Sequence, residues 1–132
     1  MNGEDLRRLK HELRTPVNHI VGYSDLLLET ANESYDHATA DLAKNIHASG
    51  QMLAKLLEKS LLLSAGDMDE AQMDALRDSI RPTVKYILDT LSSHTLQIGS
   101  NPEMDDLNRI RRAADQLLAL VGKGTNRIVV SK

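Results

Sequence analysis

The chain has 132 residues, 19 acidic and 16 basic side chains, a formal net charge of −3 and no cysteine, which fits one domain with a real core and excludes disulfide, thiolate-metal and thiol-nucleophile chemistry. The acidic balance disfavours nucleic acid as a partner. No apolar run approaches the ~20 residues of a membrane span, and the N-terminus MNGEDLRRLKHE lacks a signal-peptide stretch, so a cytoplasmic protein with no membrane segment is expected. Aromatic residues are 2% of the chain while Leu, Ala, Met, Lys, Arg and Glu are plentiful, a composition that predicts an all-α fold.

Between Glu4 and Thr30, Leu6, Leu9, Leu13, Val17, Ile20 and Leu27 recur at spacings of three, four or seven and draw one stripe along a helix. The polar segment Glu33-Ser34-Tyr35-Asp36 interrupts it. A second periodic run passes through Leu42, Ile46, Leu53, Leu56, Leu57 and Leu61, completing a helical hairpin that Ala65-Gly66-Asp67 closes, with Gly66 ending one helix and Asp67 suited to cap the next. The second half repeats this plan, with one run from about Glu70 to Gln97, a break at Gly99-Ser100-Asn101-Pro102, and another run from Met104 to Val121. Leu9 to Val17 aligns with Leu76 to Val84, and Ile46 to Leu57 aligns with Ile110 to Val121. Two copies of one hairpin in a single chain predict an antiparallel four-helix bundle of two tandem hairpins, residues 1–66 and 67–122. Residues 123–132, Gly-rich and then β-branched, read as a linker entering a strand of something longer.

At about 100° per residue, His11, Thr15, Asn18 and Gly22 fall opposite the first apolar stripe and are expected to face solvent. Periodicity alone makes them ordinary polar residues on a wet helix face. The string His11-Glu12-Leu13-Arg14-Thr15-Pro16-Val17-Asn18, followed by Ile20, Gly22, Tyr23, Ser24, Asp25, Leu26 and Leu27, closely resembles the H-box of sensor histidine kinases, within their dimerisation and histidine phosphotransfer domain. Ile46 to Leu53, with its Ser49-Gly50, and the run Leu61 to Ser64 resemble that domain's second helix, so the resemblance covers residues 4 to 66.

The resemblance implies that His11 is the phosphoacceptor, that Glu12 hydrogen-bonds the ring and raises its basicity, and that Thr15 helps place a water for dephosphorylating a partner receiver. Pro16 implies a bend just past the histidine. It further implies that the second hairpin stands in for the partner subunit, making the chain a monomeric pseudo-dimer. In the aligned second copy Asp78 stands at the histidine's place and Ser79 at the glutamate's, so one phosphoacceptor remains. No cofactor is expected, and His19, His37, His47 and His94 show no zinc spacing, so no metal is expected either. The chain has no glycine-rich nucleotide motif and no acidic receiver pocket. Donor and acceptor are therefore other domains or proteins: a response-regulator receiver, and a kinase ATP-binding domain acting in trans or downstream. Two functions fit this pattern, a phosphotransfer module working through His11 and a non-catalytic docking bundle that binds a receiver or controls an attached output domain. A generic coiled-coil adaptor would not require the His11 string.

Overall fold

Four long helices account for the periodic runs: α1 (Gly3–Glu33), α2 (His37–Leu63), α3 (Glu70–His94) and α4 (Asn101–Val130). The computed structural model describes residues 3–63, 69–94 and 101–130. Helix α1 packs on α2 and on α4, and α3 packs on α4 and on α2. The expected architecture is present, an antiparallel four-helix bundle assembled from two hairpins.

Local chemistry marks the helix ends. The α1 terminus closes as a Schellman motif, with the Asp36 amide donating to the Ala31 carbonyl at 2.8 Å, the Tyr35 amide donating to the Asn32 carbonyl at 3.3 Å, and Tyr35 in the left-handed region at φ 57°. Asp36 then caps α2: its carboxylate accepts from the Thr39 amide at 3.1 Å and from the Thr39 hydroxyl at 2.7 Å. This pairing lets Thr39 lie buried. At α3 the cap is Asp69, which accepts from the Gln72 amide at 2.8 Å while Gln72 Oε1 accepts from the Asp69 amide at 2.9 Å, a reciprocal capping box. The expected closure at Ala65-Gly66-Asp67 lies outside the described residues, as does the break at Gly99-Ser100.

The core joins all four helices, with Leu13, Val17, Ile20 and Leu27 from α1, Ile46, Leu53 and Leu57 from α2, Ile80, Val84, Ile87 and Leu91 from α3, and Leu107, Ile110, Leu117 and Val121 from α4. Leu9 packs against its edge. The two copies keep the same register: Leu13, Val17 and Ile20 correspond to Ile80, Val84 and Ile87, and Ile46, Leu53 and Leu57 to Ile110, Leu117 and Val121, all buried.

The copies differ most sharply at Asp106, which is buried at the α4 station where α2 carries the buried Leu42. Burial lifts the Asp106 carboxyl above the ordinary carboxylate value, Arg109 at 3.3 Å offsets only part of this, and Asp105 adds to the rise. A raised acid pKa means that the folded chain binds this proton more tightly than the unfolded chain. Stability therefore falls as pH rises from the ordinary value through the raised one, and the cost persists at neutral pH. Asp106→Leu, which installs the residue of the other copy, is expected to stabilise the bundle by about 1 kcal/mol at pH 7. The gain should shrink near pH 4. Thermal denaturation at both pH values measures it, and a variant less stable than wild type at pH 7 would contradict the assignment.

The tail is a correction to the sequence expectation. Helix α4 continues through Gly122 to Val130 instead of giving way to a strand. Extending an existing helix adds a hydrogen bond for each residue fixed. Among the described residues, no helix is long and apolar enough to cross a membrane.

Candidate functional site

The face of α1 opposite the core carries the residues that the H-box pattern singles out. Leu13, Pro16 and Val17 turn inward and are buried, which leaves His11, Glu12, Thr15 and Asn18 exposed. Thr15 Oγ1 donates to the His11 carbonyl at 3.0 Å, so its proton is committed to the backbone and its lone pairs face outward to accept. Pro16 has no N–H, and the carbonyl of Glu12 consequently lacks the donor that the next helical turn would supply. His11 is exposed, and its ring makes no hydrogen bond or ion pair with another described residue. Glu12 is likewise exposed, and in the rotamer present no hydrogen bond joins its carboxylate to the ring.

A surface groove of about 400 Å³ lies along this face. His11, Glu12 and Thr15 form one wall, and Gln116, Ala119 and Leu120 of α4 form the other. The fold thus brings together the three residues expected from the sequence and adds a second wall from the far end of the chain. Spacing within α1 gave no signal for that wall. The alignment of Ile46 to Leu57 with Ile110 to Val121 contains all three residues but says nothing of their proximity to His11.

The corresponding station on the second hairpin is built differently. Asp78 is exposed, and its carboxylate accepts from Arg81 Nη1 at 2.8 Å, while Arg81 Nη2 donates to the Val121 carbonyl of α4 at 3.1 Å. Ser79 donates to the Ala75 carbonyl at 2.9 Å. An arginine bridge therefore occupies the place where α1 presents an imidazole. Two of the remaining histidines serve packing seams. His19 stacks at a tilt on Tyr23, which lies under Arg109 of α4, and His47 of α2 meets Asp25 of α1 at 3.3 Å. Among the described residues, no group of three or more His, Asp or Glu side chains is placed to hold a metal ion.

The model of the His Kinase A (phospho-acceptor) domain matches residues 2–68, just over half of the chain. The chain belongs to that family. Its similarity extends to the hybrid signal transduction histidine kinase A of Dictyostelium discoideum, 30% identical over 102 residues that make up 77% of this chain and 4% of the relative. The circadian input-output histidine kinase CikA of Synechococcus elongatus is 34% identical over 95 residues, 72% of this chain and 12% of the relative. The non-motile and phage-resistance protein of Caulobacter vibrioides is 29% identical over 124 residues, 87% of this chain and 14% of the relative. The chain spans only a small fraction of the length of these relatives. No solved structure matches it.

Proposed function

We propose that this His Kinase A domain is a phosphotransfer module in which His11 takes a phosphoryl group from a donor protein and passes it on. The observation that carries the reading is the exposed His11 in an open groove, flanked by Glu12 and Thr15 in the spacing of the family's phosphoacceptor string. A neutral imidazole presents one nitrogen lone pair near pH 7, and an exposed position admits the in-line approach that phosphoryl transfer requires. The nitrogen attacks phosphorus, the bond from phosphorus to the donor's oxygen breaks, and the electron pair leaves with that oxygen. The proton on the second ring nitrogen stays there or passes to solvent, with Glu12 able to accept its hydrogen bond after a side-chain rotation. Thr15, its proton already given to the His11 carbonyl, acts as an acceptor that orients a water in the reverse, dephosphorylating reaction.

The second hairpin supplies in cis what a partner subunit supplies to the family's dimers, so the chain is a monomeric pseudo-dimer with one phosphoacceptor per bundle. The Asp78–Arg81 pair favours a docking role for that second hairpin, since it replaces a nucleophile with a neutralised, internally tied carboxylate. Partners are a response-regulator receiver and a kinase ATP-binding domain in trans or attached, in the cytoplasm.

Incubation with the cognate kinase or a phosphorylated receiver should yield an acid-labile, base-stable phosphoryl label on the wild-type chain. His11→Ala should abolish the label with helical content unchanged, and Asp78→Ala should retain it. Absence of label from a donor that phosphorylates its other partners would leave the docking bundle as the function.

A further inference from the structure

The wall that α4 contributes to the His11 groove differs chemically from its counterpart in the first hairpin. With Ile110 in register with Ile46, Gln116, Ala119 and Leu120 correspond to Met52, Lys55 and Leu56 of α2. The exposures agree pair by pair: Gln116 and Met52 are exposed, Ala119 and Lys55 are exposed, and Leu120 and Leu56 are half-buried. The two helices thus present the same backbone stations to solvent. At the central one α4 carries a methyl group where α2 carries a four-carbon cationic stem. Residues spaced by three and four share one helix face, so Ala119 lies between Gln116 and Leu120 along the line of the groove.

We propose that Ala119 is a specificity-determining residue for phosphoryl exchange at His11, and that the second hairpin therefore builds part of the phosphotransfer site as well as completing the bundle. The inference rests on His11 being the phosphoacceptor. A phosphoryl group in flight spreads its charge over three equatorial oxygens and needs lateral clearance beside the attacking nitrogen. Ala119 provides that clearance on the side where α4 approaches α1. Among the described residues, the groove lining holds one carboxylate, Glu12, and no Lys or Arg to offset the charge of an arriving phosphoryl group. The donor that fits is one that brings its own cation, the acyl phosphate on the aspartate of a receiver's metal-binding pocket. In the transfer, the imidazole nitrogen forms its bond to phosphorus, the bond from phosphorus to the carboxylate oxygen breaks, and the electron pair restores the receiver's carboxylate.

The test fills the clearance. Ala119→Leu puts a neutral, helix-favouring side chain at an exposed position, so circular dichroism and the thermal midpoint should match wild type. Transfer from a phosphorylated receiver should slow by about tenfold or more, mainly through a higher KM for the receiver. Labelling of His11 by phosphoramidate, a donor of a few atoms that needs no protein docking, should be unchanged, with His11→Ala as its blank. Lys55→Leu at the matching α2 station should transfer as wild type does. Equal receiver-to-His11 transfer in wild type and Ala119→Leu would overturn the inference alone. Equal loss with both donors would also overturn it, because the ring itself and not the approach to it would then be disturbed. A wild-type chain labelled by neither donor would overturn the phosphoacceptor reading, and the inference with it.

Discussion

Gly50→Leu is expected to unfold the bundle, whereas Gly22→Ala, the same kind of change on the opposite face of the hairpin, is expected to stabilise it. A Cβ built on Gly50 would lie 2.9 Å from Val21 Cγ2 and 3.1 Å from Ile20 Cγ2, closer than carbon atoms pack. Both neighbours are β-branched and locked at χ1 in a helix, so neither gives way by rotating. Gly50 is thus the point of close approach between α1 and α2. Even alanine there pits a gain of about 1 kcal/mol in helix propensity against roughly 1–3 kcal/mol of overpacking. Gly50→Ala should therefore be net destabilising, and leucine adds three more heavy atoms with no space to enter. At Gly22 nothing lies within 4 Å, the residue is exposed, and alanine recovers the full propensity gain of about 1 kcal/mol. Urea titrations of the three variants decide the matter. A Gly50→Leu chain with a wild-type midpoint would show that the two helices do not meet there.

The fold was legible because its information is local and repeated. An apolar residue every three or four positions marks each helix, and the register shared by Leu9 to Val17 and Leu76 to Val84 marks the duplication. Where the stripe carries polar residues, the sequence misleads. Ser24 is fully buried in the middle of the α1 stripe because its hydroxyl donates to the Val21 carbonyl at 2.9 Å, a pairing that apolar periodicity does not register. Glu103 and Asp106 occupy buried stations of α4 that apolar periodicity does not register. The sequence offered Asp67 as the cap of α3, with Glu70 three residues on, but Asp69 and Gln72 carry the same spacing and the reciprocal hydrogen bonds that cap α3 are theirs. The α1 wall of the site could be read because one helix carries all of it. Its α4 wall arises from residues more than a hundred positions away, and only packing brings Ala119 beside His11.

A chain cut after Gly66 is expected to dimerise through the surface that the second hairpin covers in the intact bundle. Without α3 and α4, the α1 and α2 faces that contribute Leu13, Val17, Ile20, Leu27, Ile46, Leu53 and Leu57 to the core lose their cover. A two-helix hairpin cannot bury such a face alone. A second copy offers a close substitute, with Leu13, Val17 and Ile20 in place of Ile80, Val84 and Ile87, and Ile46, Leu53 and Leu57 in place of Ile110, Leu117 and Val121. Among the fully buried positions, volume is lost from Leu91 to Ser24, from Leu107 to Ala43 and from Ala114 to Gly50. Against them, Glu103 and Asp106 give way to Thr39 and Leu42, which removes the two buried carboxylates of the second hairpin and their desolvation cost. The fragment should accordingly sediment as a dimer that dissociates on dilution, while the intact chain sediments as a monomer at every concentration. Each fragment bundle would then carry two His11 side chains against one in the intact bundle, so phosphoryl label per bundle should double. A fragment that stays folded and monomeric, or an intact chain that forms an obligate dimer, would show that the second hairpin does not stand in for a partner subunit.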